Sequence, residues 1–184
     1  MSFTFINKKM KLFSILGLMV LFLFLSACSL DPRVIEMGRV SSDINKVSYV
    51  SDMDNYHVKE YYASPSEFYK NGGDCEDYSL AKYYKLKELG FDDNNMWLVS
   101  GQMKTYNGII NHSMLLVKLN NNKMYYLDNG YKEVLLTYLR KDFTPFFIYN
   151  KNGVIVLKDK KLDGERYIPS KNKFYNELMS VFNY

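Results

Sequence analysis

The sequence predicts an α+β fold in which one central helix precedes a run of antiparallel strands. Residues 75–89 are strong helix formers, and Gly90 follows them as a helix stop. Apolar side chains point several ways round this helix, which is typical of a helix packed on more than one side. Five strand-like runs come after it, at 96–100, 112–119, 123–127, 146–149 and 154–157. Asparagine-rich and Asn-Gly turns separate neighbouring runs, so the sheet is expected to be antiparallel.

Shorter helices are predicted on either side of this core. Residues 29–43 are polar and are expected to form a tether that leads into a short helix. The apolar residues of that helix, at helical spacing, are Ile44, Val47 and Val50. Another short helix is predicted over 67–69, and Gly72 ends it. The apolar residues that predict a closing helix are Phe174, Leu178, Val181 and Phe182.

The first 27 residues have the pattern of a bacterial export signal. Lysines precede an apolar stretch from Leu12 to Leu25, which is shorter than the ~20 residues of a spanning helix. Small residues lie just before Cys28, as in a lipobox, so Cys28 is the candidate lipidation site; the alternative is a signal peptide with an incidental cysteine. The expected organisation is a signal peptide over 1–27, a lipidated tether over 28–43 and a single domain over 44–184.

The net charge of the chain and the residue after Cys28 indicate which partners and which location to expect. The formal net charge is +4, of which three charges are lysines in the first 27 residues, so the remainder carries about +1. A chain with that balance has no electrostatic footprint for nucleic acid. Because Ser29 rather than an aspartate follows Cys28, the expected location is the periplasmic face of the outer membrane.

Cys75 is the candidate nucleophile. If Cys28 carries lipid, Cys75 has no disulfide partner within the chain. Two glycines deliver it to a helix start, where the helix dipole favours a thiolate and free N–H groups can hold an oxyanion. His112 begins a predicted strand and Asp128 ends the next, so an antiparallel hairpin could bring them together as base and orienting residue. Taken singly, each could instead be structural, as a core or surface histidine and a turn-forming aspartate.

Three acids lie next to Cys75: Asp74, Glu76 and Asp77. Negative charge opposes ionisation of a neighbouring thiol, so these acids need an explanation. Asp74 could cap the helix while Glu76 and Asp77 complement its dipole. Alternatively, the three acids could bind Ca²⁺, which takes clustered carboxylate oxygens and would cancel their charge. The residues alone leave both explanations open.

The sequence GDCEDY at 73–78 carries a specific resemblance to a known family. Matching residues outside this block are Ile44, Asn45, Tyr49, Pro65, Glu67, Phe68, Ala81, Lys82, Tyr83, Leu86, Gly90, His112, Leu127, Asp128 and Asn129. From Ile44 to about Asp128 the chain resembles the bacterial transglutaminase-like cysteine peptidases, the LapG-like periplasmic proteases.

This resemblance implies a papain-like fold in which the helix that carries the cysteine packs on an antiparallel sheet. It implies Cys75 as nucleophile, His112 as base and Asp128 as its orienting residue, and it favours calcium at the three acids. The implied substrate is a large surface adhesin, and the implied partner is a cyclic-di-GMP-responsive receptor of the inner membrane. The chain departs from the family at Tyr61 and Tyr62, where a tryptophan-containing segment is expected, and in a short basic C-terminal portion. The lipobox further predicts that this protease works from a lipid anchor.

Two other functions remain open from the sequence. A transglutaminase-type acyltransferase would use the same three residues, because pocket shape and water access select the acyl acceptor. A catalytically inactive, lipid-anchored binding module would use exposed tyrosines as a contact surface, since aromatic residues are enriched at interfaces.

Overall fold

A computed structural model describes residues 31–169, 171 and 173–183. The predicted signal peptide and Cys28 lie outside the described residues. Within the described residues, those from Glu36 onward belong to one compact unit. No helix within the described ranges combines the length and apolar character needed to cross a membrane. The predicted domain boundaries remain predictions.

Helices flank a seven-stranded antiparallel sheet. The helices are α1 (Pro32–Ile44), α2 (Asp52–Tyr56), α3 (Pro65–Asn71), α4 (Cys75–Glu88) and α5 (Lys173–Ser180), with 3₁₀ turns at Asp93–Asn95, Thr137–Leu139 and Val181–Asn183. The strands are β1 (Met96–Thr105), β2 (Gly108–Lys118), β3 (Met124–Leu127), β4 (Leu135–Leu136), β5 (Phe143–Asn150), β6 (Gly153–Leu157) and β7 (Arg166–Tyr167). Their order across the sheet is β4-β3-β2-β1-β5-β6-β7.

The N-terminal helix prediction was wrong in its position. Helix α1 ends at Ile44, where the sequence predicts a helix to begin, and it covers most of the predicted tether. Met37, Val40 and Ile44 are buried at spacings of three and four residues, which is the apolar face of an amphipathic helix. The backbone after α1 is extended instead, because the N–H of Val50 donates to the Gly73 carbonyl at 3.0 Å.

The loop before α4 depends on two glycines. Gly72 has φ +81°, and a Cβ there would lie 2.5 Å from the Ser48 carbonyl oxygen. A Cβ on Gly73 would collide with the carboxylate of Asp77. Because glycine has no Cβ, the chain can turn sharply after α3 at these two positions. Helix α4 then begins at Cys75, as the sequence predicts.

Helix α4 packs against β2 and β1, and α5 packs near β5 and β6. Leu80, Tyr83 and Leu86 of α4 are fully buried, which confirms that this helix is central. On the sheet, one apolar cluster consists of Val99, Met114, Leu116, Tyr126, Phe143, Ile148 and Leu157. The α+β prediction, with a cysteine-bearing helix on an antiparallel sheet, is confirmed.

Strand lengths differ from the predicted ones. β1 pairs with β2 over its whole length, from Met96 opposite Val117 to Thr105 opposite Gly108. The first four residues of β2 are exposed, so this end of the hairpin lacks the buried apolar alternation that marks a strand in sequence. His112 therefore lies inside β2 rather than at its start. β4 and β7 are two-residue edge strands, which are too short for a periodic pattern.

Candidate active site

Cys75 is the first residue of α4 and is partly buried. Its Sγ donates a hydrogen bond to Oε2 of Glu76 at 3.2 Å. The backbone N–H of Ser113, the residue after His112 in β2, is near enough to act on the pKa of the same thiol. The packing of α4 on β2 thus places the thiol beside the strand that carries the imidazole.

The surroundings of Cys75 oppose its ionisation. Burial is the largest influence and raises the pKa of the thiol well above its usual range. The charge of Glu76, its hydrogen bond with the thiol and the charge of Asp74 add to this increase. The Ser113 N–H acts in the opposite direction but is outweighed. With its carboxylate neighbours arranged in this way, Cys75 is held as a thiol, although a helix N-terminus by itself favours a thiolate.

His112 and Asp128 meet, as the hairpin argument predicts. His112 Nε2 and Asp128 Oδ1 are 2.8 Å apart, and both side chains are buried. The Asp128 carbonyl also accepts from Asn45 Nδ2 at 2.9 Å, which ties the start of this loop to the segment after α1. Since Nε2 faces the carboxylate, Nδ1 is the nitrogen left to exchange a proton. Among the hydrogen bonds of the described residues, none joins Cys75 to His112.

Asp128 is held as a carboxylate. Burial would raise its pKa, but hydrogen bonding and charge from His112, the Gly130 N–H at 2.9 Å and the charge of Arg140 together hold the pKa well below its usual range. Arg140 Nη1 donates to Asp128 Oδ2 at 2.7 Å, and the arginine is only 4% exposed. Sequence patterning does not mark Arg140, because its partner lies 12 residues away and no local motif surrounds it. We call His112, Asp128 and Arg140 the imidazole side of the site.

Lys82 lies two turns after Cys75 on α4 and was also not predicted as part of the site. Its side chain is 0% exposed, and its Nζ has no hydrogen-bond partner among the described residues. Burial lowers its pKa to about 7, while the negative charge of Asp128 acts in the opposite direction. Nζ lies 5.7 Å from the centroid of the Tyr78 ring.

The three acids next to Cys75 join two further acids. Asp52, the first residue of α2, and Glu60 lie with them, and within each of three overlapping groups the ligand atoms are within 4.8 Å of one another. These groups are Asp74, Cys75 and Glu76; Asp52, Glu60 and Glu76; and Asp52, Asp74 and Asp77. We call Cys75 and these five acids the acid side of the site. The extended segment at Val50 brings Asp52 here, which no local sequence signal indicates.

Several acids of this cluster are protonated more readily than usual. Burial is the largest cause in each case: it raises the pKa of Asp52 to about 6 and that of Asp77 to about 7, and it raises the pKa of Glu76 well above its usual range. Asp74 adds to the increase at all three through its charge. Full ionisation of these acids is therefore unfavourable unless positive charge is added to the cluster.

Some of these acids have the unpartnered oxygens that a metal site needs, whereas another is already bound to the backbone. Asp77 accepts from the N–H groups of Ala63 and Asp74, at 2.8 and 3.2 Å, so it has a structural role at the start of α4. By contrast, Asp52 Oδ1 and Asp74 Oδ1 are buried, and neither has a hydrogen-bond partner within the described part of the chain. Buried carboxylate oxygens without partners are what a hard, oxygen-binding cation requires.

A family model described as "Bacterial transglutaminase-like cysteine proteinase" matches residues 27–145. An uncharacterized protein of Methanocaldococcus jannaschii is 30% identical over 114 residues, which are 61% of this chain and 42% of that protein. The chain thus spans less than half the length of this curated relative.

Solved structures of a Legionella pneumophila protein have the same fold. Calcium-bound LapG matches with a TM-score of 0.63 and 24% identity over 84% of this chain and 83% of that chain. EGTA-treated LapG matches with a TM-score of 0.63 and 23% identity over 85% and 83%. At this level of identity the likeness establishes the fold, a transglutaminase-like arrangement of helices on an antiparallel sheet.

Proposed function

Because the chain belongs to the family of bacterial transglutaminase-like cysteine proteinases, we propose that it is a calcium-dependent cysteine endopeptidase. Cys75 is the nucleophile, His112 the general base and Asp128 the residue that orients the base. The observation that carries this proposal is the 2.8 Å hydrogen bond between buried His112 and Asp128. His112 lies on β2, the strand against which the helix that carries Cys75 packs.

The reaction follows from the chemistry of these groups. Cys75 gives its proton to His112 Nδ1 and attacks the peptide carbonyl, which forms a tetrahedral oxyanion. The backbone N–H of Cys75, at the start of α4, stabilises that oxyanion. Asp128 stabilises the imidazolium, which then protonates the leaving amine as the thioester forms. Water activated by His112 hydrolyses the thioester and restores the thiol.

The acid side supports the calcium dependence. Asp74, Glu76 and Asp52 would hold the ion, with Glu60 and Asp77 near enough to contribute. Bound calcium supplies positive charge that keeps these carboxylates ionised and compensates their effect on the thiol. If Glu76 held the ion, its carboxylate would be withdrawn from the hydrogen bond with Cys75, and the thiol would lose a group that opposes its ionisation. The calcium-bound and EGTA-treated forms of LapG support this extension to a protein of the same fold.

Location and partners belong to the proposal as well. The enzyme is anchored by lipid at Cys28 on the periplasmic face of the outer membrane, where it cleaves a large surface adhesin. A cyclic-di-GMP-responsive receptor in the inner membrane is the proposed partner. Family membership and the sequence of residues 12–29 support this part of the proposal.

A cleavage assay tests the activity directly. Purified protein is incubated with a proteome-derived peptide library in calcium or in EGTA, and new termini are identified by mass spectrometry. Cleavage is expected with calcium only, and Cys75→Ala and His112→Ala are each expected to abolish it. His57→Ala is the matched control, because His57 is the other histidine and is exposed. Cleavage that survives Cys75→Ala would refute the proposal.

One observation favours a second candidate, the catalytically inactive binding module. The thiol bonds to Glu76, and burial and neighbouring acids raise its pKa, as in an unreactive structural cysteine. Absence of cleavage at every calcium concentration would support this candidate. An amine donor added to the assay separates the acyltransferase, which would give crosslinked glutamine products in place of new termini.

A further inference from the structure

Arg140 divides the two oxygens of the Asp128 carboxylate between different partners. Oδ1 faces His112 Nε2 at 2.8 Å and also accepts from the Gly130 N–H at 2.9 Å. Oδ2 accepts from Arg140 Nη1 at 2.7 Å. The last torsion of an aspartate is soft and roughly two-fold, so partners rather than the side chain itself fix its rotation.

Arg140 is itself fixed from two directions. Its Nε and Nη2 each donate to the Asp142 carboxylate at 3.0 Å, to Oδ1 and Oδ2 respectively. The ring centroid of Tyr131 lies 4.3 Å from the guanidinium carbon. A planar guanidinium with donors on both edges can hold two carboxylates at once, which the point charge of a lysine cannot do.

We infer that Arg140 is a positioning residue for the proposed reaction: clamped by Asp142, it sets the rotation of Asp128, which holds His112 with Nε2 protonated and Nδ1 free. This role rests on the proposed function, since it acts through the proposed general base. It requires the shape of the guanidinium and not only its charge.

Other charged and titratable groups act on the same pair. Lys82 of α4 interacts with the charge of Asp128, and Asp142 neutralises part of the charge of Arg140. Cys75 lies beside the backbone of the residue that follows His112. The test therefore has to separate loss of geometry from loss of charge.

The proton position on His112 is the readout that a merely structural role would not move. In ¹⁵N-histidine-labelled protein, the parent is expected to show the neutral His112 ring almost entirely as the Nε2–H tautomer. Arg140→Lys keeps the positive charge but loses the planar guanidinium that holds both carboxylates, so the Nδ1–H fraction is expected to rise several-fold. The value of kcat is expected to fall by about 10- to 100-fold, the usual cost of losing a partner that orients a functional histidine, with KM within twofold. Lys141→Met, which removes a neighbouring exposed charge, is expected to change neither property.

Arg140→Met extends the test by removing the positive charge and the guanidinium donors together. Its thermal unfolding is measured first, to establish that the variant folds. If this variant does not fold, Arg140→Lys decides the question alone. An Arg140→Lys protein that folds with the parental tautomer, or that changes tautomer without losing kcat, would overturn the inference. The tautomer is measured without substrate, so a protein that cleaves nothing would refute the proposed function and still leave the positioning of His112 open to measurement.

Discussion

The imidazole side and the acid side of the site both contain buried carboxylates, yet they reach opposite electrostatic states. Asp128 has partners for both oxygens, and its pKa is held low. Asp52 and Asp74 each retain a buried oxygen without a partner among the described residues, and burial raises the pKa of Asp52. Under the proposed function, this difference means that the base is ordered by the fold itself, whereas the nucleophile depends on a group that satisfies the acids. Calcium is the proposed supplier.

The largest effect is expected from breaking the imidazole side at its centre. Asp128→Asn would present an amide N–H₂ or a weaker acceptor to His112 and remove one of the two carboxylates that Arg140 holds. The corresponding change in a serine protease triad lowers kcat by about 10,000-fold, and we expect a loss of that order. Asp163→Asn, an exposed acid elsewhere, is the control. A kcat within tenfold of the parent in the cleavage assay would show that Asp128 does not orient the base.

A smaller effect is expected from weakening the acid side without touching Cys75. Asp52→Asn removes a buried, partly unpartnered carboxylate, so the calcium concentration for half-maximal activity is expected to rise at least tenfold. Asp54→Asn is the matched control, because Asp54 lies in the same helix, is exposed and is outside the three acid groups. Thermal unfolding gives a second measure, since calcium at 100 times its Kd should stabilise the folded state by about 2.7 kcal/mol. If the two variants show the same calcium dependence, then Asp52 is not part of the calcium site.

The smallest effect concerns stability and comes from Lys82, a buried lysine on the helix that carries Cys75. Its folded pKa of about 7 is below the value of about 10.5 in the unfolded chain. Between these values the unfolded state binds more protons, so Lys82 makes the free energy of unfolding rise with pH, by up to about 1.4 kcal/mol per unit. Lys82→Met is expected to remove that slope and to raise stability at pH 6.

Chemical denaturation from pH 6 to 10 measures this slope. Lys85→Met, an exposed lysine on the same helix, should leave the slope unchanged. If the parent and Lys82→Met show the same pH dependence, then Lys82 keeps its proton in the folded protein through an interaction that burial does not outweigh.

The parts of the site that the sequence predicts are those with local signals. Two glycines followed by helix formers predict the start of α4 at Cys75, and a hairpin between apolar runs predicts that His112 meets Asp128. Both arrangements are present, while the catalytic roles of these residues remain predictions. Arg140 and Asp52 could not be predicted, because each reaches the site through an irregular segment whose path depends on tertiary contacts.

In the fold, too, the elements that the sequence predicts are those with local signals. The central helix and the main strands are present where the sequence predicts them, although β1, β2 and β5 extend three to five residues beyond the predicted bounds. The predicted position of helix α1 was wrong because polar residues and a glycine lie between Met37, Val40 and Ile44. The apolar face of this helix becomes evident only from its burial in the structure. The edge strands β4 and β7 exist because neighbouring strands offer hydrogen-bond partners, not because their own residues specify a strand.

The alkylation rate of Cys75 against pH, in calcium and in EGTA, tests the central claim most directly. Mass spectrometry of the peptide that contains Cys75 distinguishes it from Cys28. With calcium, the thiolate is expected to titrate below the free-cysteine value of ~8.5. In EGTA, the reactive form should emerge only well above that value, because burial and Glu76 hold the proton on the thiol. A titration that calcium does not move would contradict the claim that the acid side controls the nucleophile.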